Sequence, residues 1–93
     1  MAARAPFQIA TEFYRALGRI GTPESVQALI GVAQSSKGLL SSRKALPRRF
    51  ASIEGIGLAG SPAALAALRD LMEDRDRYVR EAAQAALQTA SGR

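Results

Sequence analysis

The side chains that most often carry out acid–base and metal chemistry are scarce in this chain. Its 93 residues include no histidine and no cysteine, which removes the commonest general base, the commonest metal ligand and any thiolate nucleophile. Carboxylates are present, and Glu73, Asp74 and Asp76 fall within one turn. Capping and solubility explain such a turn, and its spacing lacks the further oxygen ligands that a divalent ion needs. The sequence therefore predicts a protein that is not an enzyme and uses no metal or other cofactor.

A glycine pattern resembling a dinucleotide-binding motif fails on its context. Gly55, Gly57 and Gly60 have the spacing G-x-G-x-x-G, but in nucleotide-binding folds this pattern follows a strand, whereas here it lies at the end of a predicted helix. Gly18, Gly55 and Gly57 fall inside predicted helices, where each glycine costs up to about 1 kcal/mol relative to alanine. We expect this cost to be offset by neighbouring helices that lie too close for a Cβ.

The charged feature that could bind a partner is one short basic segment. The net charge of +5 comes from 13 basic and 8 acidic residues. No acidic residue lies between Glu24 and Glu54, and five cations occupy that gap: Lys37, Arg43, Lys44, Arg48 and Arg49. Because screening confines their field to about 10 Å at ordinary salt, a local cluster matters more than the overall charge. We predict that these residues contact an anionic partner, an acidic protein surface or a phosphate backbone; the alternative is a solvated loop.

An internal repeat organises most of the chain. Residues 16–30 align with residues 55–69 at a constant offset of 39 and without a gap. The alignment pairs Gly-Thr-Pro at 21–23 with Gly-Ser-Pro at 60–62. A third, partial copy over residues 79–90 matches the approach to this corner. Such self-similarity is typical of folds in which one small structural unit is stacked on the next.

Each copy is predicted to form a helix, a corner and a second helix. Glycine ends the first helix in the left-handed conformation, the hydroxyl residue caps the next helix, and proline occupies its first position. Apolar residues recur at helical spacing on both sides of the corner. We therefore predict an all-α fold with a loop of about 13 residues before the third helix. The five predicted helices lie near residues 6–20, 23–35, 47–59, 62–73 and 77–90.

The segments ALGRIGTPESVQALI, EGIGLAGSPAALAALRDL and DRDRYVREAAQAAL resemble the HEAT-repeat family, in particular the bacterial HEAT-like repeats of the phycobilisome-lyase type. The resemblance implies an α-solenoid of about two and a half HEAT-like helical hairpins in a right-handed superhelix. It also implies a protein–protein interaction or scaffolding module. The lyase activity of some relatives does not carry over, because nothing here matches a chromophore site.

The resemblance further implies polar contacts between repeats, made by an arginine such as Arg80 and an aspartate such as Asp74 or Asp76. The earlier copies depart from this pattern. Ala10 stands at the equivalent position of the first copy, and the second copy keeps only the arginine, Arg49. A continuous series of such contacts is therefore not expected.

We expect residues 1–93 to form a single HEAT-like domain that is the C-terminal part of a longer array, in the cytoplasm of a bacterium. If no array precedes it, Phe7, Phe13 and Tyr14 predict self-association through the first helix. Nucleic-acid binding through residues 37–49 is the alternative function. No membrane partner is expected, because no apolar run approaches the roughly 18 residues of a membrane span.

Overall fold

In a computed structural model, residues 6–34 and 46–92 are described, with backbone only for residues 6–10. These residues contain five α-helices and no strand, which confirms the predicted all-α fold. The second and fourth predicted helices each end two residues early. The loop expected before the third helix lies almost entirely outside the described residues. The helices are α1 (Pro6–Ile20), α2 (Pro23–Ala33), α3 (Leu46–Ala59), α4 (Pro62–Leu71) and α5 (Arg77–Ser91).

Both predicted corners are confirmed in their chemistry. Gly21 and Gly60 have φ angles of 68° and 63°, the left-handed conformation that glycine adopts without a Cβ clash. The Thr22 hydroxyl accepts a hydrogen bond from the Ser25 amide at 3.2 Å. Ser61 makes the equivalent bond with the Ala64 amide, also at 3.2 Å. Both corners therefore combine a left-handed glycine with a hydroxyl cap on the following helix.

The helices pack in two layers, with α1, α3 and α5 side by side in one layer and α2 and α4 in the other. The central helix α3 contacts all four other helices, whereas α1 and α5 do not touch within the described residues. Each hairpin thus contacts only its neighbours, as in a solenoid. The handedness of the superhelix stays a prediction. The buried core between the layers is aliphatic, with Val26, Leu29, Ile53, Ile56, Leu68 and Val79 as its largest members.

Small residues set the spacing of the first layer. A Cβ placed on Gly18 would lie 2.2 Å from the carbonyl oxygen of Gly55, and one on Gly55 would lie 2.5 Å from the carbonyl oxygen of Tyr14. A Cβ on Gly57 would lie 3.1 Å from the Cβ of Ala86. The predicted close approach of helices is therefore confirmed, because α1 and α3 meet backbone to backbone at two glycines.

Candidate interaction site

The structure separates the five cations of the predicted contact surface. Lys37, Arg43 and Lys44 lie outside the described residues. Arg48 is exposed to solvent near the start of α3, where a partner can reach it. Arg49 is only 5% exposed, so it is an internal residue and does not belong to an exposed basic surface.

Arg49 connects three parts of the fold. Its Nε donates a hydrogen bond of 2.8 Å to the backbone carbonyl of Ala33, at the end of α2. Its Nη2 donates to Oδ1 of Asp74 at 2.5 Å, in the turn between α4 and α5. The Asp76 amide donates to the other carboxylate oxygen, Oδ2 of Asp74, at 2.9 Å. The guanidinium thus ties the end of one hairpin to the turn that leads into the third copy.

The pKa of Asp74 is lowered in the folded state. Burial of the carboxyl group raises this pKa. Stronger opposing effects lower it: hydrogen bonds from Arg49 and from the Asp76 amide, and the positive charges of Arg49 and Arg80. The ionised form is therefore the one that the fold stabilises. This contribution to stability is present above the unfolded-state pKa of about 3.9 and is lost as the pH falls through the lower folded-state pKa.

The Asp74→Asn variant should show a weaker dependence of stability on pH in acid. We expect the difference in unfolding free energy between the original chain and this variant to be constant at neutral pH and to shrink as the pH falls below about 4, because both proteins then carry a neutral side chain there. Urea unfolding at a series of pH values measures this difference. A difference that stays constant down to the lowest accessible pH would contradict the assignment of an ionised, paired Asp74.

Among residues 11–34 and 46–92, the implied arginine–aspartate contact between repeats occurs once, at Arg49 and Asp74. Arg80, which aligns with Arg49, donates instead to the backbone carbonyls of Asp74 at 2.8 Å and Arg75 at 3.0 Å. It therefore helps to hold the same turn without pairing to a side chain there. The alignment of Arg49 with Arg80 was the sequence signal for this structural role.

An open apolar groove lies between α3 and α5. Its volume is about 340 Å³, and a dry cavity of about 150 Å³ already holds a benzene ring. The groove exists because α5 lines it with alanines and one threonine, whose side chains are too short to fill the space. Its apolar walls are formed by Phe50, Ile53 and Leu58 of α3 and by Ala82, Ala85 and Ala86 of α5.

Few polar groups border this groove. Glu54 and Thr89 contribute the polar side chains of its lining. The Glu54 carboxylate accepts hydrogen bonds from Nε and Nη2 of Arg15 at 2.9 and 3.3 Å, so it is already engaged across α1 and α3. Thr89 donates its hydroxyl to the Ala85 carbonyl at 3.1 Å. Since small-molecule sites present several convergent polar groups, this lining favours an apolar side chain as the occupant.

Residues 6–34 and 46–92 form neither a metal site nor a membrane span. No group of three or more acidic side chains in this part of the chain is placed to hold a metal ion. None of the described helices is long and apolar enough to span a membrane. Asp76 caps α5 by accepting from the Tyr78 and Val79 amides at 2.8 and 3.2 Å, which is a structural use of the acidic turn.

Comparison with protein families matches residues 15–35 to the PBS lyase HEAT-like repeat. This span covers the end of α1, the Gly-Thr-Pro corner and α2, and it bears out the suspected resemblance to HEAT-like repeats. Repeats of this family are commonly protein-interaction modules and are typically not catalytic. No curated protein and no solved structure matches the chain significantly.

Proposed function

We propose that the chain is a non-catalytic protein-interaction module of HEAT-like repeats, and that its partner inserts an apolar segment into the groove between α3 and α5. The groove is the observation that carries this proposal, because an open apolar cleft on a rigid scaffold gains binding free energy when it is covered. The family match over residues 15–35 supports the same class of function.

The shape of the groove limits the size of the side chain that can bind there. Ile53, Gly57 and Ala86 form a buried floor, while Ala85 and Thr89 are exposed along the rim. The volume of about 340 Å³ is roughly that of two benzene-sized groups. A peptide with one or two large apolar side chains therefore fits it.

Nucleic-acid binding has less support from the described residues. Of the five cations on which it depended, Arg49 is internal and paired with Asp74. Each cation that contacts phosphate on duplex DNA steepens the log–log dependence of affinity on salt by about 0.9. Loss of a contact therefore weakens both the affinity and this dependence.

Panning a randomised peptide library against the purified chain tests the proposal. We expect enriched peptides to carry large apolar residues, and we expect the Ala85→Arg variant to weaken the best peptide at least about tenfold, because the guanidinium occupies the cleft and is desolvated by the ligand. The matched control is Ala66→Arg, which places the same side chain on an exposed position of α4.

Two results would contradict the proposed function. One is peptide binding that Ala85→Arg and Ala66→Arg weaken equally, since the groove would then have no special role. The other is failure to enrich any peptide together with duplex-DNA binding that falls steeply with salt and is lost in an Arg48→Glu variant, which would establish the alternative instead.

A further inference from the structure

The helices of the first layer meet their neighbours through equivalent positions. Gly18 of α1 approaches Gly55 of α3, and Gly57 of α3 approaches Ala86 of α5. The repeat alignment places Gly57 on Gly18 and Ala86 on Gly55, so the two contacts are successive copies of one interface. Each first-layer helix therefore has an upstream position, which faces the preceding helix, and a downstream position, which faces the following one. The upstream positions in α1, α3 and α5 are Ala16, Gly55 and Ala86, and the downstream positions are Gly18, Gly57 and Gln88.

The upstream side of α1 is uncovered and carries apolar residues, with the exposed Glu12 one helical turn before Ala16. Phe13 and Ile20 are 59% and 61% exposed, and Ala16 between them is also exposed. In α3 the positions matching Phe13 and Ala16 are Ser52 and Gly55, and both are buried. The same helix surface that is covered in the second copy is thus open in the first.

The second layer shows the same difference. Ala28 of α2 is exposed, whereas Ala67, its match in α4, is 5% exposed. Since equivalent positions of successive hairpins face the same way, exposed Ala16 and Ala28 match the open end of a stack in which each hairpin contributes one helix to each layer. We call Phe13, Ala16, Ile20 and Ala28 the upstream face.

The opposite end of the stack is built differently. In α5, Gln84 and Gln88 stand where α3 has Ile53 and Gly57, and both glutamines are exposed. A Cβ at the equivalent Gly18 would already lie 2.2 Å from the neighbouring backbone. A glutamine at this position therefore prevents another helix from approaching α5 at the same spacing, and its polar side chain suits solvent.

We propose that the upstream face receives the last hairpin of a preceding HEAT-like array, and that α5 closes the stack. The required occupant is a helical hairpin whose first-layer helix presents glycine opposite Ala16, as Gly57 lies opposite Ala86. A second copy of the chain does not supply this surface in a head-to-tail arrangement, because its Gly18 and Gly57 are already buried and α5 offers glutamines. A preceding hairpin would repeat the α1–α3 and α3–α5 interfaces, whereas a second copy of the chain would not.

An added hairpin taken from the chain itself tests the proposal. Residues 46–76 carry α3, α4 and the following turn, and Arg77 aligns with Phe7. A second copy of residues 46–76 is therefore joined ahead of residues 7–93. The Gly57 of the added copy then lies opposite Ala16. We expect amide hydrogen exchange in α1 to slow at least about tenfold relative to the original chain, because an end helix becomes an internal one.

Ala16→Gln is the diagnostic variant, and Ala66→Gln at the original α4 position is its matched control. We expect Ala16→Gln to abolish the slower exchange in the extended chain while leaving the original chain folded, since Ala16 is exposed there. Ala66→Gln should change neither protein.

Three outcomes would overturn the proposal. These are an extended chain with unchanged exchange in α1, a slowing that Ala16→Gln does not remove, or a dimer of the original chain that Ala16→Gln dissociates, which would assign the upstream face to a second copy. None of these outcomes depends on peptide binding at the groove, so the proposed function is tested separately.

Discussion

Replacing Arg49 with alanine should destabilise the protein by about 3–5 kcal/mol, which is the usual cost of removing one partner from a buried ion pair. The variant leaves the Asp74 carboxylate, 12% exposed, without the guanidinium that is hydrogen-bonded to it, and it leaves the Ala33 carbonyl without its donor. For a domain whose total stability is about 5–15 kcal/mol, this is a large fraction. The midpoint and slope of urea unfolding measure the effect.

The neighbouring Arg48→Ala variant is the matched control. Arg48 is exposed on the same helix, and surface substitutions of this kind stay within about 0.5 kcal/mol. The double variant Arg49→Ala with Asp74→Ala should lose less than the sum of the two single changes, because no unpaired charge remains. Equal and small effects of Arg49→Ala and Arg48→Ala would show that Arg49 is solvated and not an internal tie.

Replacing Gly55 with alanine should cost at least about 3 kcal/mol, at the upper end of what overpacking usually costs. The new methyl group would lie 2.5 Å from the Tyr14 carbonyl oxygen and 3.1 Å from a methyl group of Leu29. The first contact is with backbone, so a side-chain rotation cannot relieve it and α1 must move away from α3. Thermal and urea unfolding of the purified variant measure the loss.

Gly31→Ala is the same chemical change, but we expect it to raise stability. Gly31 is an exposed residue of α2, and a Cβ there meets no atom within 4 Å. Helix propensity alone then operates, and we expect a gain of up to about 1 kcal/mol. A loss of similar size in both variants would indicate that the two glycines share one role, contrary to the close approach of α1 and α3.

The elements of this fold were predictable because their signals are local. Gly21, Thr22 and Pro23 specify a corner through φ, a cap and a missing amide, and all three act within one turn of helix. The unfavourable glycines inside helices also indicated close neighbours, and the approach of Gly18 to Gly55 is the result. Short-range chemistry and the 39-residue repeat together predicted the stack.

The role of Arg49 was missed because it depends on partners distant in sequence. Its charge placed it in a run of cations with Arg48, and nothing local distinguishes the two side chains. The distinguishing feature is Asp74, 25 residues further along the chain, which α4 brings back to the start of α3. The alignment of Arg49 with Arg80 carried this information, and the basic run obscured it.

The groove could not be predicted for a different reason. Its floor includes two of the small residues that permit close helix packing, Gly57 and Ala86. Whether small residues give contact or leave a cleft depends on how far apart the helix axes lie at each level. Sequence periodicity identifies the face of a helix but does not specify this distance.

The equivalence of the α1–α3 and α3–α5 interfaces is the central claim, and nuclear Overhauser effects measure it without any substitution. We predict a strong effect between the α protons of Gly18 and Gly55, because a substituent on Gly18 points at the Gly55 backbone. We also predict one between the α protons of Gly57 and the methyl group of Ala86. Absence of both effects in the folded protein, or direct effects between α1 and α5, would contradict the stacked arrangement.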